Sequence, residues 1–183
     1  DKKRELVRFI KEHKHAKYLR EVGLPVSNTL LLHGYTGCGK TFTARILASE
    51  MKKRLLIANL STIVSSRLGD TAKNIASLFK KAALGQRGDL DANDSAEMRR
   101  VVNAILQQID YISPDVVLVG ATNQLNHIDT ALLRRFDTRI EYNLPAKEEL
   151  DNYYDTLKEK YPVEFDGFKR EYDISFAEAQ ARY

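Results

Sequence analysis

The chain has 183 residues, 43% hydrophobic and 30% charged, a length and composition that fit one globular domain, or one with a fragment of a second, and exclude a disordered segment or a fibre. Its net charge of +4 comes from both signs scattered along the chain, without a basic block interleaved with aromatics, which is the pattern of a solvated surface. The longest apolar runs, Thr29–Leu32 and Val116–Val119, fall far short of the roughly 20 residues of a membrane-spanning helix. The start, Asp1-Lys2-Lys3-Arg4-Glu5, lacks the apolar stretch of a secretory signal, so a cytoplasmic location with no membrane contact is expected. The single cysteine, Cys38, cannot form an internal disulfide.

Leu6, Phe9, Ile10 and His13 share one face of a helix across Glu5–Leu19, which Gly23-Leu24-Pro25 stops. Thr29–His33 reads as a strand that runs into a glycine-rich loop, and Phe42–Lys52 reads as the helix after it. Arg54–Asn59 is a second strand, buried on both faces, followed by a loop over Leu60–Asp70. Ile75, Leu78, Phe79 and Ala82 then form the core-facing stripe of a helix over Thr71–Ala82, whereas Ala83–Asn93 is polar and carries no strand signal. Asp94-Ser95-Ala96-Glu97 has capping-box spacing and opens a long helix with Met98, Val101, Val102, Ile105, Leu106 and Ile109 on one face. Val116–Gly120 and Arg139–Asn143 are the third and fourth strands. From Lys147 a helix keeps Leu150, Tyr153, Tyr154, Leu157 and Tyr161 in phase until Pro162, and Val163–Tyr183 is too short for a core of its own. This alternation predicts an α/β fold with a mostly parallel sheet and helices on both faces.

Gly34-Tyr35-Thr36-Gly37-Cys38-Gly39-Lys40-Thr41 matches G-x-x-x-x-G-K-[ST] between a strand and a helix, the pattern of a P-loop. Its glycines let successive backbone N–H groups turn around a β-phosphate, and the helix N-terminus adds a positive dipole. Thr36, Gly37, Cys38, Gly39, Lys40, Thr41 and Phe42 are therefore expected to hold ATP, with Lys40 reaching the β- and γ-phosphates and the Thr41 hydroxyl taking a Mg²⁺ position. The four histidines, His13, His15, His33 and His127, share no metal-ligand spacing. Asp110, at the end of the long helix, reads as a turn residue.

The P-loop with Ala44-Arg45-Ile46-Leu47-Ala48 is followed by Ser65–Ile75, by Val119-Gly120-Ala121-Thr122-Asn123, and by Ile128-Asp129-Thr130-Ala131-Leu132-Leu133-Arg134-Arg135-Phe136-Asp137. In this order the four segments resemble the AAA family of ATPases, and the likeness covers roughly residues 20–145. The resemblance implies a P-loop NTPase core, residues 1–146, with residues 147–183 beginning a helical lid. It also implies that Asn123 is the sensor-1 residue that contacts the γ-phosphate or the attacking water. Arg134 and Arg135 match the arginine fingers that enter a neighbouring subunit's site, so a homo-oligomeric ring, most often a hexamer in this family, is expected.

The sequence departs from the family at two places. Arg67-Leu68-Gly69 stands where the pore loop has an aromatic residue, which weakens an aromatic grip on substrate and permits an acidic partner. More consequentially, no apolar strand closing on Asp-Glu follows Ala82, where the family carries the acids of Walker B; Asp89, Asp91 and Asp94 lie in a polar loop and are not assigned that role. Removing an interior strand would leave backbone groups on both neighbours without partners. We therefore expect the uninterrupted gene product to hold about ten further residues, or somewhat more, at Ala82/Ala83. The reading is an ATP- and Mg²⁺-dependent ATPase that remodels a macromolecule, protein before nucleic acid. Its alternatives are a non-hydrolysing, ATP-responsive scaffold and a motor on nucleic acid.

Overall fold

The computed structural model describes residues 2–53, 107–113, 116–128, 130–161 and 168–183. The strand at Arg54–Asn59, the loop with Arg67, the helix at Thr71–Ala82, the junction at Ala82/Ala83, the acids Asp89, Asp91 and Asp94, and most of the helix from Met98 lie outside the described residues.

The first expected helix is two, α1 (Lys2–Lys14) and α2 (Ala16–Glu21), because His15, at φ −108° and ψ 14°, steps out of helical geometry. The second ends in a Schellman arrangement: Gly23 takes φ +78°, its N–H reaches the Arg20 carbonyl, and the Leu24 N–H reaches that of Leu19.

Strand β1 (Thr29–Gly34) lies between β2 (Leu118–Thr122) and β3 (Thr138–Tyr142), all parallel. Leu31 pairs in register with Gly120 and Leu32 with Ile140. Side chains alternate across a strand. Leu30 and Leu32 therefore join Ile140 and Tyr142 in one cluster, roofed by Phe9 of α1 and by Ala44 and Leu47 of α3 (Lys40–Glu50). Leu31 turns the other way, where a Cβ on Gly120 would meet both its side chain and the Phe136 ring. Each fully buried Leu or Phe contributes about 1.5–3 kcal/mol against its exposed state, so this cluster holds α1 and α3 on the sheet. The α/β, parallel-sheet expectation agrees with this arrangement.

After β2 come a 3₁₀ turn (Leu125–His127) and the short α4 (Thr130–Leu133). Following β3, α5 (Lys147–Lys160) and α6 (Phe176–Arg182) form a second cluster from Leu150, Tyr154, Leu157 and Ala179, flanked by Phe168, Tyr172, Ile174 and Phe176. The last stretch of the chain thus does contribute to a core, by completing one with α5. Ser175 caps α6: its hydroxyl accepts from the Glu178 N–H, and the Glu178 carboxylate accepts from the Ser175 N–H at 2.9 Å. Among the described residues no helix is long and apolar enough to cross a membrane.

Candidate nucleotide-binding site

The loop between β1 and α3 needs its glycines for two physical reasons. At Gly34, φ is +116° and an added Cβ would lie 2.2 Å from the Tyr142 carbonyl oxygen, so β3 closes directly on the start of the loop. Tyr35 secures that contact by donating its N–H to the same oxygen at 2.8 Å. Gly39, at φ +91°, is the residue on which the chain swings into α3, with Lys40 as first helical residue. The helix therefore begins two residues earlier than its apolar pattern suggests.

Lys40 is 7% exposed, and its Nζ donates to the Gly34 carbonyl at 2.8 Å and to that of Tyr35 at 2.6 Å. The ammonium is held within the loop by backbone oxygens, and burial pushes its pKa below the usual lysine range. An anion at this place would replace two neutral acceptors by a charged one, which is the stronger partner. Thr41 and Phe42, on the first turn of α3, and Thr36, in the loop, are exposed. Cys38 is buried in the core cluster; its Sγ lies 3.5 Å from the Thr36 carbonyl, and burial pushes its thiol pKa up. It is a packed, protonated group.

Two contacts around the loop lie beyond what local sequence pattern reveals. The Tyr142 hydroxyl donates to Thr43 Oγ1 at 2.7 Å and ties β3 to α3. At the loop's crest, the Ala177 N–H donates to the Gly37 carbonyl at 3.2 Å. An added Cβ on Gly37, whose φ is +70°, would lie 2.5 Å from Ser175 Oγ. The start of α6 thus rests on the phosphate loop. The only local signal for it was the Ser175-Phe176-Ala177-Glu178 spacing, which marks a helix start but not its neighbour.

The other predicted residues divide between the two ends of the sheet. Thr122 pairs with His33, so exposed Asn123 leaves β2 beside the start of the phosphate loop, and the Thr122 hydroxyl accepts from the Gln124 N–H at 3.0 Å to turn the chain there. Arg134 and Arg135, both exposed, lie at the opposite end, before β3. Two anchors keep them there: Phe136 is buried against Gly120, and Thr29 Oγ1, at the first residue of β1, donates to Asp137 at 3.0 Å. The length of β1, about 17 Å at roughly 3.3 Å per residue, separates that end from the loop. These arginines are not brought to the phosphate loop of their own chain. Asp110 is not merely a turn residue: Arg135 donates from Nε to its Oδ1 at 2.7 Å and from Nη2 to its Oδ2 at 3.0 Å. These hydrogen bonds hold the Asp110 carboxyl below the usual carboxylate range. Among the described residues there is no group of His, Cys, Asp and Glu that could hold a metal by itself.

Comparison with known proteins points to the same chemistry. The model of the family described as "ATPase family associated with various cellular activities (AAA)" matches residues 30–144. An uncharacterized AAA family ATPase, y4kL, of Sinorhizobium fredii is 35% identical over 176 residues, covering 89% of this chain and 53% of the relative. A putative 26S proteasome regulatory subunit homolog of Methanothermobacter thermautotrophicus is 33% identical, covering 74% of this chain and 42% of its own. Among solved structures, the FIGL-1 AAA domain in complex with ADP superposes with a TM-score of 0.69 at 27% identity, over 86% of this chain and 57% of the other. The chain spans about half the length of the curated relatives it matches first.

Proposed function

Because the chain belongs to the AAA family of ATPases, we propose that it binds ATP with Mg²⁺ at the phosphate loop, hydrolyses it between copies of itself assembled in a ring, and uses the cycle to remodel a macromolecule, most readily protein. The observation that carries this reading is the loop itself: two left-handed glycines lead into α3, with the buried Lys40 ammonium held at the loop's carbonyls. The donor set fits the ligand, since Lys40 is a buried cation with only neutral acceptors and Thr41 presents an exposed hydroxyl on the first helical turn. Mg²⁺, when bound, neutralises charge on the β- and γ-phosphate oxygens.

Within this reading, residues 1–146 are the nucleotide-binding core and 147–183 the beginning of a helical lid. Lys40 binds and orients the β- and γ-phosphates, the Thr41 hydroxyl serves the metal, and Asn123 orients the attacking water from the end of β2. Arg134 or Arg135, a strand's length from its own loop, acts on the loop of a neighbouring copy, where a guanidinium matches charge developing on the transferred group. Removing such an arginine costs about 10³–10⁵ in turnover.

The test is ATP turnover by the full-length protein as its concentration is raised, with a mixing control. Lys40→Met copies keep the arginines, and copies carrying both Arg134→Ala and Arg135→Ala keep the loop. Turnover that reappears on mixing two inactive preparations supports hydrolysis between copies. Turnover that is independent of concentration, with no recovery on mixing, would rule it out. A second reading, an ATP-responsive scaffold without turnover, is favoured if the full-length protein has no acidic strand at Ala82/Ala83, where the sequence carries no apolar run closing on Asp-Glu; ATP-driven assembly without phosphate release is its signature.

A further inference from the structure

Two adjacent arginines follow α4, and the structure treats them differently. The turn is fixed, because the N–H groups of Arg134, Arg135 and Phe136 donate to the carbonyls of Thr130, Leu132 and Leu133. Arg135 is engaged on both forks of a carboxylate, the geometry that uses a guanidinium most fully. Both members of that pair are anchored next door: Ile109 is buried beside Asp110, and Phe136 beside Arg135. Arg134, one residue earlier, is exposed and makes no ion pair among the described residues.

We propose that Asp110 is a positioning residue that holds Arg135 within its own chain and leaves Arg134 as the guanidinium offered to the phosphates of a neighbouring copy. This rests on the reading of hydrolysis between copies given above. Side chains of Asp110 and Arg135 are 45% and 40% exposed, and solvent-exposed pairs contribute little to stability. What such a pair does supply is direction. Arg135 and Asp110 together carry no net charge, and two of the guanidinium's donors are occupied. Arg134 is exposed and its guanidinium has no carboxylate partner among the described residues, so it is the group suited to an oxyanion. Asp110 therefore touches no phosphate itself; it selects which of two neighbouring arginines does.

The experiment compares kcat and KM for ATP in the full-length wild type and in Arg134→Ala, Arg135→Ala, Asp110→Asn, Asp110→Glu and the double variant Asp110→Asn with Arg135→Ala. Arg134→Ala should lower kcat about 10³-fold with KM nearly unchanged, as for a contact made only in the transition state. Asp110→Asn, which frees Arg135 to compete, should lower it about tenfold, a coupling of ordinary size between touching residues, whereas Arg135→Ala, which removes the competitor, should lower it less. The double variant should be no worse than Arg135→Ala alone, and Asp110→Glu should recover most of the loss. The concentration at which ATP drives self-association should rank the variants in the same order, whether turnover is fast or slow. Equal losses from the two arginines, or an Asp110→Asn effect that persists undiminished without Arg135, would overturn the role of Asp110 while leaving hydrolysis between copies intact. Wild-type turnover that does not rise with concentration would remove both.

Discussion

Lys40 is buried, positively charged and held by two neutral carbonyls, an arrangement whose strength depends on what else enters the loop. Hydrogen bonds to charged groups contribute about 1.5–3 kcal/mol each, so Lys40→Met should weaken ATP binding at least 10- to 100-fold, measured by titration with a fluorescent nucleotide. The pH dependence follows from burial. Desolvation lowers the Lys40 pKa in the free protein, and a bound phosphate, being an anion, raises it again. Binding therefore takes up a proton once the pH exceeds the lowered value, and affinity should fall as pH rises through it. A flat affinity across the alkaline range would show that Lys40 does not meet the phosphates. At Gly120 the neighbour is Phe136, whose ring would lie 2.9 Å from an added Cβ. Gly120→Ala should cost about 1–3 kcal/mol by overpacking, seen as a lower urea midpoint at unchanged slope.

Element by element, what could be read from the sequence was what is local. Strand β1, its loop and α3 follow from an apolar run, a glycine spacing and a helical phase that lie within two dozen residues. The two other described strands were found within two residues of their bounds. The division of α1 from α2 at His15 carries no Gly or Pro to mark it. Asp110 with Arg135, and Gly37 with Ala177, are joined by chain topology across 25 residues in the first pair and far more in the second, so no local pattern encodes them. Helix α1 illustrates how packing turns a plain amphipathic face into a pH-sensitive one. His13 lies 4.9 Å from the Phe9 ring, its Nδ1 is 3.4 Å from the Phe9 carbonyl, and its Nε2 is buried without a partner among the described residues. Burial is the main reason its pKa lies below 6.5, with Lys53 and Arg20 adding to the effect against Glu12 and the Phe9 carbonyl. The folded protein holds this imidazole neutral while the unfolded chain protonates it near pH 6.5. Its stabilising effect is thus complete above that pH and is lost as pH falls through the depressed folded value. Urea midpoints should drop between pH 7.5 and pH 5 in the wild type, and by less in His13→Phe. Equal slopes in the two proteins would place the pH sensitivity elsewhere.

At the scale of the molecule, the phosphate loop is where otherwise separate parts meet. Strand β3 reaches it through the Tyr142 carbonyl, α3 starts on it and is tied to β3 by the Tyr142 hydroxyl, and α6 contacts it through Ala177 and Ser175. A ligand bound there should stabilise the C-terminal helices as well as the sheet. A ligand at 100 times its Kd adds about 2.7 kcal/mol to the folded state, which corresponds to a rise in Tm of about 5–11 °C for a chain of this size. The rise should appear with ATP in one cooperative transition and vanish in Lys40→Met. Ala177→Leu would put bulk where Gly37 and Ala177 now touch and push α6 off the loop without altering the sheet. In that variant the melting curve should divide: the part belonging to the sheet still moves with ATP, and the part reported by the Tyr153, Tyr154 and Phe168 rings stays where it was. If calorimetry shows a single transition in Ala177→Leu that shifts with ATP as far as in the wild type, the two clusters are coupled through some other contact, and the resting of α6 on Gly37 plays no part in transmitting nucleotide binding to the C-terminal helices.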